Sequence, residues 1–244
     1  MKKSLFLAAP LALAVALPLL PATAAADVAF NASVTTDYRY RGISQTRLKP
    51  ALQGGVDFTQ GGFYLGAWAS TIKWIKDGGG DANVEIDLYA GYKGELAKDL
   101  GYDVGLLAYV YPSNRLSPSA NTTEIYGAIT AGAFTAKYSH SVTNLFGFGN
   151  SKNSGYLDLS YTADLGGGWT LTPHLGHQRV AHSGRFSYTD YALTVAKDMG
   201  GGVTLSAALI GADVDKVGGV AVYASPSGKN LGRTGLVLGA KISF

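Results

Sequence analysis

From residue 28 the chain reads Val28-Ala29-Phe30-Asn31-Ala32-Ser33-Val34-Thr35-Thr36-Asp37-Tyr38-Arg39-Tyr40-Arg41. The even positions are mostly apolar or aromatic and the odd ones small, polar or charged, so side chains alternate between two faces with the period of a β-strand. Val84, Ile86, Leu88, Ala90 and Tyr92 oppose Asn83, Glu85, Asp87 and Lys93 in the same way. Tyr102, Val104, Leu106, Ala108 and Val110 share a face opposite Asp103, Leu157, Leu159 and Tyr161 oppose Asp158 and Ser160, and Tyr191, Leu193 and Val195 oppose Asp190 and Thr194.

Continued along the chain, this reading predicts twelve strands, at roughly 28–41, 50–59, 63–73, 83–94, 102–112, 122–130, 134–142, 155–165, 169–180, 187–198, 203–213 and 234–244. The connections alternate in length. Tight turns fall at Gln60-Gly61-Gly62, Ala131-Gly132-Ala133, Gly166-Gly167-Gly168 and Gly200-Gly201-Gly202, with a slightly longer one at 96–101. Longer polar loops fall at 42–49, 74–82, 112–121, 143–154, 181–186 and 214–233. An even number of strands of this length, with short turns at one end and long loops at the other, predicts an all-β antiparallel transmembrane barrel. Both termini then lie at the short-turn, periplasmic end, and the long loops are extracellular.

Period two alone does not say which face meets which solvent, and a soluble sandwich would show the same alternation. Three features place the apolar face in lipid. Only 15% of the 244 residues are charged, thin cover for an exterior in water. Aromatic residues gather near strand ends, as in interfacial girdles: Phe30, Phe58, Phe63, Tyr92, Tyr102, Phe134, Trp169 and Phe244 toward the short turns, and Tyr38, Tyr40, Tyr111 and Tyr188 toward the long loops. The chain also ends on Leu236, Leu238, Ala240, Ile242 and Phe244 along one face, an ending that resembles the C-terminal assembly signal of outer-membrane barrels. Expected partners are therefore outer-membrane lipids and the barrel-assembly machinery. The alternation does not set the oligomeric state, because lipid-facing and subunit-facing surfaces are both apolar.

Residues 1–26 read differently. Lys2 and Lys3 precede an apolar run over 5–20, and Ala24-Ala25-Ala26 supplies small residues before Asp27, the pattern of a secretory signal peptide. The run is short for a bilayer and broken by Pro10 and Pro18. The expected organisation is a signal peptide over 1–26 and one barrel over 27–244, exported to the outer membrane of a Gram-negative bacterium. Removal of the leader takes two lysines with it and lowers the formal charge from +3 to about +1. No basic stripe suits nucleic acid. The absence of cysteine excludes a disulfide scaffold and thiolate metal sites.

The run Tyr38-Arg39-Tyr40-Arg41-Gly42-Ile43-Ser44-Gln45-Thr46, followed by Pro50-Ala51-Leu52-Gln53-Gly54-Gly55-Val56-Asp57-Phe58 and Gly62-Phe63-Tyr64-Leu65-Gly66-Ala67-Trp68-Ala69-Ser70, resembles the TorF porin family. Weaker resemblance continues through Gly155-Tyr156-Leu157-Asp158-Leu159 and Trp169-Thr170-Leu171. It implies a Gram-negative outer-membrane barrel with a porin role, and it carries over no catalytic or ligand residue.

With lipid outside, the polar face lines a lumen. Ionised groups facing lipid at mid-depth cost about 2 to 4 kcal/mol for Arg or Lys. Asp37, Arg39, Arg41, Asp57, Glu85, Asp87, Asp103, Lys137, Asp158, Asp190 and Lys241 are accordingly the candidate lumen residues. They form either a charge-selective constriction or self-neutralising filler, with Arg39 paired to Glu85 or Asp87. Twelve strands fall between the filled barrels of about 8 and the open channels of 16 to 18. The expected function is passive diffusion of small hydrophilic solutes or ions through a narrow lumen. The alternative is a closed structural or surface-binding barrel, and an acyl hydrolase comes third.

No enzyme, cofactor or metal site is expected. His140 and Ser141 point to opposite faces of one strand, so neither activates the other, and His182-Ser183 lacks an evident third group. His174 and His177 also fall on opposite faces unless a bulge at Pro173 shifts the count. The Asn121-Thr122-Thr123 acceptor has no force in this context, and Gly78-Gly79-Gly80 lacks the helix and lysine of a phosphate loop.

Overall fold

The computed structural model describes residues 26–244, so the expected signal peptide lies almost wholly outside the described residues. The barrel strands are β1 (Asp27–Thr35), β2 (Ala51–Gln60), β3 (Phe63–Thr71), β4 (Val84–Ala97), β5 (Leu100–Val110), β6 (Thr122–Ala131), β7 (Phe134–Ser141), β8 (Gly155–Tyr161, continued by Ala163–Gly166), β9 (Trp169–Arg179), β10 (Tyr188–Gly200), β11 (Val203–Asp213) and β12 (Gly235–Ser243). Each pairs antiparallel with its sequence neighbours, and β1 pairs with β12, so the twelve strands close into a ring. The seam is in register from Asn31 opposite Ser243 to Thr35 opposite Gly239, and Phe30 and Phe244 exchange backbone bonds of 2.8 and 3.0 Å below it.

The alternation read in the sequence sorts side chains as a membrane barrel requires. Leu52, Leu65, Leu88, Val104, Leu106, Leu175, Leu193, Leu209, Leu236 and Leu238 are all exposed on the outer face. A continuous apolar belt of that size is unfavourable in water and is matched by hydrocarbon. Below it Phe30, Phe63, Tyr92, Phe134, Trp169 and Phe244 stand exposed in a girdle at the short-turn end, with Phe30 stacked on Phe244 at 6.0 Å. The polar partners point inward. Asp57, Glu85, Asp87, Glu124 and Asp190 are buried on that inward face.

Two expectations are corrected. The first strand ends at Thr35, not near residue 41, because residues 36–49 turn into the barrel as a loop carrying a small hairpin, Arg39–Tyr40 paired with Ile43–Ser44. Tyr38, Tyr40, Tyr111 and Tyr188 therefore form no outer girdle. Tyr38, Tyr111 and Tyr188 are buried and Tyr40 is half-buried, each packed against the inturned loop or the loops that cover it. Arg alternating with Tyr suits an interfacial strand, and it suits a hairpin that sets Tyr40 on the wall tyrosine Tyr109 and Arg41 on the wall carboxylate Glu124.

The long loops also carry structure of their own. Residues 74–77 form a short helix, and the last long loop contains a second small hairpin, Lys216–Val217 with Val220–Ala221. Ile72, Ile75, Ala82, Tyr111 and Ala120 bury a cap above the first loop, with Trp74 and Tyr111 edge-to-face at 5.1 Å.

A folded sample should migrate differently on a detergent gel before and after boiling. Placing a charge on the belt with Leu106→Arg should cost about 2 to 4 kcal/mol in refolding titrations into vesicles. The lumen change Ala128→Ser should stay within about 0.5 kcal/mol. Equal tolerance at both positions would mean that the outer face does not meet lipid.

Candidate functional site

The site is the barrel interior, and the loop 36–49 divides it. Asp37 anchors the base of this loop, accepting from Arg39 Nε at 2.5 Å and Ser44 Oγ at 2.5 Å. Arg39 then donates through Nη1 to the carbonyl oxygens of Gly42 at 2.9 Å and of Leu231 and Arg233 at 3.1 Å, tying the first loop to the last. The expected pairing of Arg39 with Glu85 or Asp87 is thus replaced by a local pair with Asp37. A partner two residues away is reached without spanning the lumen.

Arg41 at the hairpin tip makes the long-range contact. Its guanidinium donates to both carboxylate oxygens of Glu124 on β6, at 3.0 and 2.7 Å, and to Gln178 Oε1 on β9 at 2.6 Å. It lies between the rings of Tyr40 and Tyr156, 4.8 and 4.2 Å from their centroids. Since the loop springs from between β1 and β2, these contacts reach the opposite wall. Gly42 makes the turn possible: its φ is +78°, and a Cβ there would stand 2.6 Å from Asp190 Cβ and 2.9 Å from Gly211 O. Only glycine fits both the conformation and the space.

Rings complete the closure. Tyr38 donates to Glu85 at 2.6 Å, and Tyr40 donates to the Tyr109 hydroxyl, also at 2.6 Å. Tyr40, Tyr109 and Phe146 pack edge-to-face at 5.1 to 5.5 Å. At the outer surface Arg47 pairs with Asp77 of the short helix. The long-loop end of the barrel is filled.

Beneath the hairpin tip lies a cavity of about 370 Å³, lined from Arg41, Tyr109 and Asp190 down to Thr59, Thr130 and Thr135, one residue from the short turns. Tyrosine hydroxyls hold its carboxylates: Tyr89 donates to Asp57 at 2.5 Å, Tyr64 to Asp103 at 2.5 Å, and Tyr156 to Asp190 at 3.0 Å. Tyr126 lies across the neighbouring strand at Gly105, where a Cβ would meet its hydroxyl at 2.6 Å, so a side chain there would displace the ring. Lys137 sits 3.8 Å over Tyr126, and His174 lies 3.4 Å from Asp158 and 3.6 Å from Asp190.

Each candidate lumen residue can now be located. Asp57, Asp87, Asp103, Lys137, Asp158 and Asp190 line the cavity from the wall, and Glu85 lies above it under Tyr38. Lys241 is on the inward face of β12, while Asp37, Arg39 and Arg41 reach the interior on the inturned loop and not on a barrel strand. Phe244 stands at the outer rim of the short-turn end. Sequence reasoning missed Glu124, Gln178 and Lys93. Glu124 was findable, since Thr122, Glu124, Tyr126, Ala128 and Thr130 share one face of a predicted strand.

No bulge occurs at Pro173: Thr172, Pro173 and His174 pair in sequence with Thr194, Leu193 and Ala192, so His174 faces in and His177 out. Ser141 donates to the Thr143 carbonyl oxygen at 2.9 Å while His140 contacts Asn153 at 3.2 Å on the other face. Among the described residues no group of three His, Cys, Asp or Glu side chains is placed to hold a metal ion.

The closed antiparallel barrel is a fold that this chain shares with solved porins. KdgM porin superposes with a TM-score of 0.57 at 8% identity, covering 90% of this chain and 99% of KdgM. A second KdgM structure, of the porin in complex with disordered oligogalacturonate, gives 0.56 at 9% identity, covering 90% and 99%. NanC porin gives 0.57 at 13% identity, covering 88% and 99%. Residues 21–234 match the Gcw_chp family of bacterial proteins of unknown function, and the chain belongs to that family. No curated protein sequence matches it.

Removing one partner of the buried Arg41–Glu124 pair leaves the other charge uncompensated. Arg41→Ala should lower stability by about 3 to 5 kcal/mol in detergent unfolding titrations, and Arg41→Met with Glu124→Leu should recover most of the loss. A single variant as stable as the parent would mean that the hairpin is not held by this contact.

Proposed function

We propose that the chain is an outer-membrane channel of the porin kind, narrow and charge-lined, whose resting form is closed at the outer end by the loop 36–49. The observation that carries this reading is the polar cavity inside an apolar-walled closed barrel, with solute-sized volume between the hairpin tip and the short turns. Export by the segment 1–26, insertion signalled by the strand ending in Phe244, and TorF kinship belong to the same reading. It assigns no enzymatic step, because His140 and Ser141 lie on opposite faces and the His174 ring is engaged by Tyr156 and Asp158.

Charge sets the solute class. The wall carboxylates Asp57, Glu85, Asp87, Asp103, Glu124, Asp158 and Asp190 outnumber the wall lysines Lys93, Lys137 and Lys241. Such a passage favours neutral and cationic solutes. An acidic oligosaccharide of the kind bound to KdgM would meet repulsion here. A structural barrel without transport is the second reading, favoured by the buried contacts of Arg39 and Arg41 that seal the outer end.

Planar bilayer recording separates the two. Replacing residues 38–46 by a short Gly-Ser linker should convert a mostly closed protein into one with steady conductance steps. Reversal potentials across a KCl gradient should show cation preference near 0.1 M, fading toward 1 M as the Debye length falls from about 10 to about 3 Å. Silence from the loop-replaced barrel would establish the structural reading, and anion preference would overturn the charge assignment.

A further inference from the structure

Asp87 stands apart among the buried acids. It is fully buried on β4 and lines the cavity, yet neither carboxylate oxygen has a hydrogen-bond donor. Its neighbours in the lumen are each served: Glu85 by Tyr38, Glu124 by Arg41, Asp57 by Tyr89, Asp103 by Tyr64. A buried polar group without a partner is costly, and a charged one more so. The charges around Asp87 deepen the deficit, because the groups that act on it electrostatically, Glu85 and Glu124, carry its own sign.

A partner that donates hydrogen bonds and brings positive charge would relieve that deficit. Aromatic side chains narrow its chemistry. The strand register sets Tyr109 and Trp68 beside Asp87 on the two adjoining strands, and Tyr89 follows it on the same inward face. A carboxylate among aromatic rings is suited to a nitrogen cation. The lumen already holds one in this manner, since Arg41 is bound by the Glu124 carboxylate and flanked by two tyrosine rings.

From these observations we infer that Asp87 anchors a binding site for a small organic cation, a solute with a primary ammonium or guanidinium group, entering from the short-turn side. The 370 Å³ cavity limits it to a small molecule. This rests on the reading of the lumen as a solute compartment, but it does not require conduction.

Cadaverine tests it by isothermal titration against the folded, detergent-solubilised full barrel, with 1,5-pentanediol and glutarate as neutral and anionic counterparts of similar length. Saturable binding of cadaverine alone is expected. Asp87→Asn should weaken it at least about tenfold, while Asp213→Asn on the exposed rim should leave it unchanged. Pentanediol binding as tightly as cadaverine, or an unchanged affinity in Asp87→Asn, overturns the inference. The comparison of the three probes on the parent protein holds even where the variant fails to fold. Cadaverine binding by a barrel that never conducts supports the site and removes the channel. Conductance from a barrel indifferent to cadaverine does the reverse.

Discussion

Everything in this molecule follows from the seam between β1 and β12. In hydrocarbon no water satisfies a free backbone N–H or C=O, so a sheet survives only if its first and last strands pair. Here the seam runs from Asn31 opposite Ser243 to Thr35 opposite Gly239, with the bonds between Phe30 and Phe244 extending it to the last residue. Once the ring closes, alternation along every strand commits one residue in two to lipid and the next to the interior. A shift of one residue would exchange the two sets, so the seam specifies the lumen as well as the wall.

That commitment makes the interior polar and crowded. Twelve strands enclose more space than their own side chains fill, and the first loop occupies the outer part of it. Because the wall already projects Glu85, Glu124 and Asp190 inward, the loop that enters must bring cations and hydroxyls. Tyr38 and Arg41 meet that need at Glu85 and Glu124, while Arg39 holds the loop to itself and to the last loop. The cation bound bidentately to Glu124 comes from a residue more than 80 positions earlier, so the closure and the wall charge are one arrangement and not two.

The fold was largely legible because its signal is periodic. Strand ranges read from the alternation fall within a few residues of those observed, and Gly-rich tight turns mark one end of the barrel. The inturned loop was not legible, for a physical reason. Residues 36–41 continue the alternation of 28–35 without a break, and nothing local distinguishes a strand reaching the interface from a hairpin strand reaching the lumen. The one contrary sign was Gly42, whose positive φ reverses the chain one residue beyond Arg41. The pairing of Arg41 with Glu124 depends on the barrel's diameter and on which loop enters, quantities absent from any single strand. Glu124 itself was visible as an inward polar position, whereas the lack of a donor at Asp87 appears only when every neighbour has been placed.

The energetics of the loop decide how firmly the outer end of this barrel is filled. Arg39 and Arg41 each make charge-assisted hydrogen bonds to buried acceptors, and such bonds contribute about 1.5 to 3 kcal/mol apiece. Against them stands the entropy regained when about a dozen loop residues are released, roughly 1 to 2 kcal/mol per freed backbone residue. Burial of Tyr38 and the ring contacts of Tyr40 with Tyr109 and Phe146 restore the balance toward closure. On the proposed channel reading, an open state a few kcal/mol above the closed one would be populated at roughly 0.1 to 10% and would shift with any ligand that binds one form better. On the proposed reading, a cation seated at Asp87 would feel the field of Glu124, the carboxylate that Arg41 uses. Its charge would oppose that of Arg41 in the same field, so occupancy from the short-turn side would weaken the contact that fills the outer end.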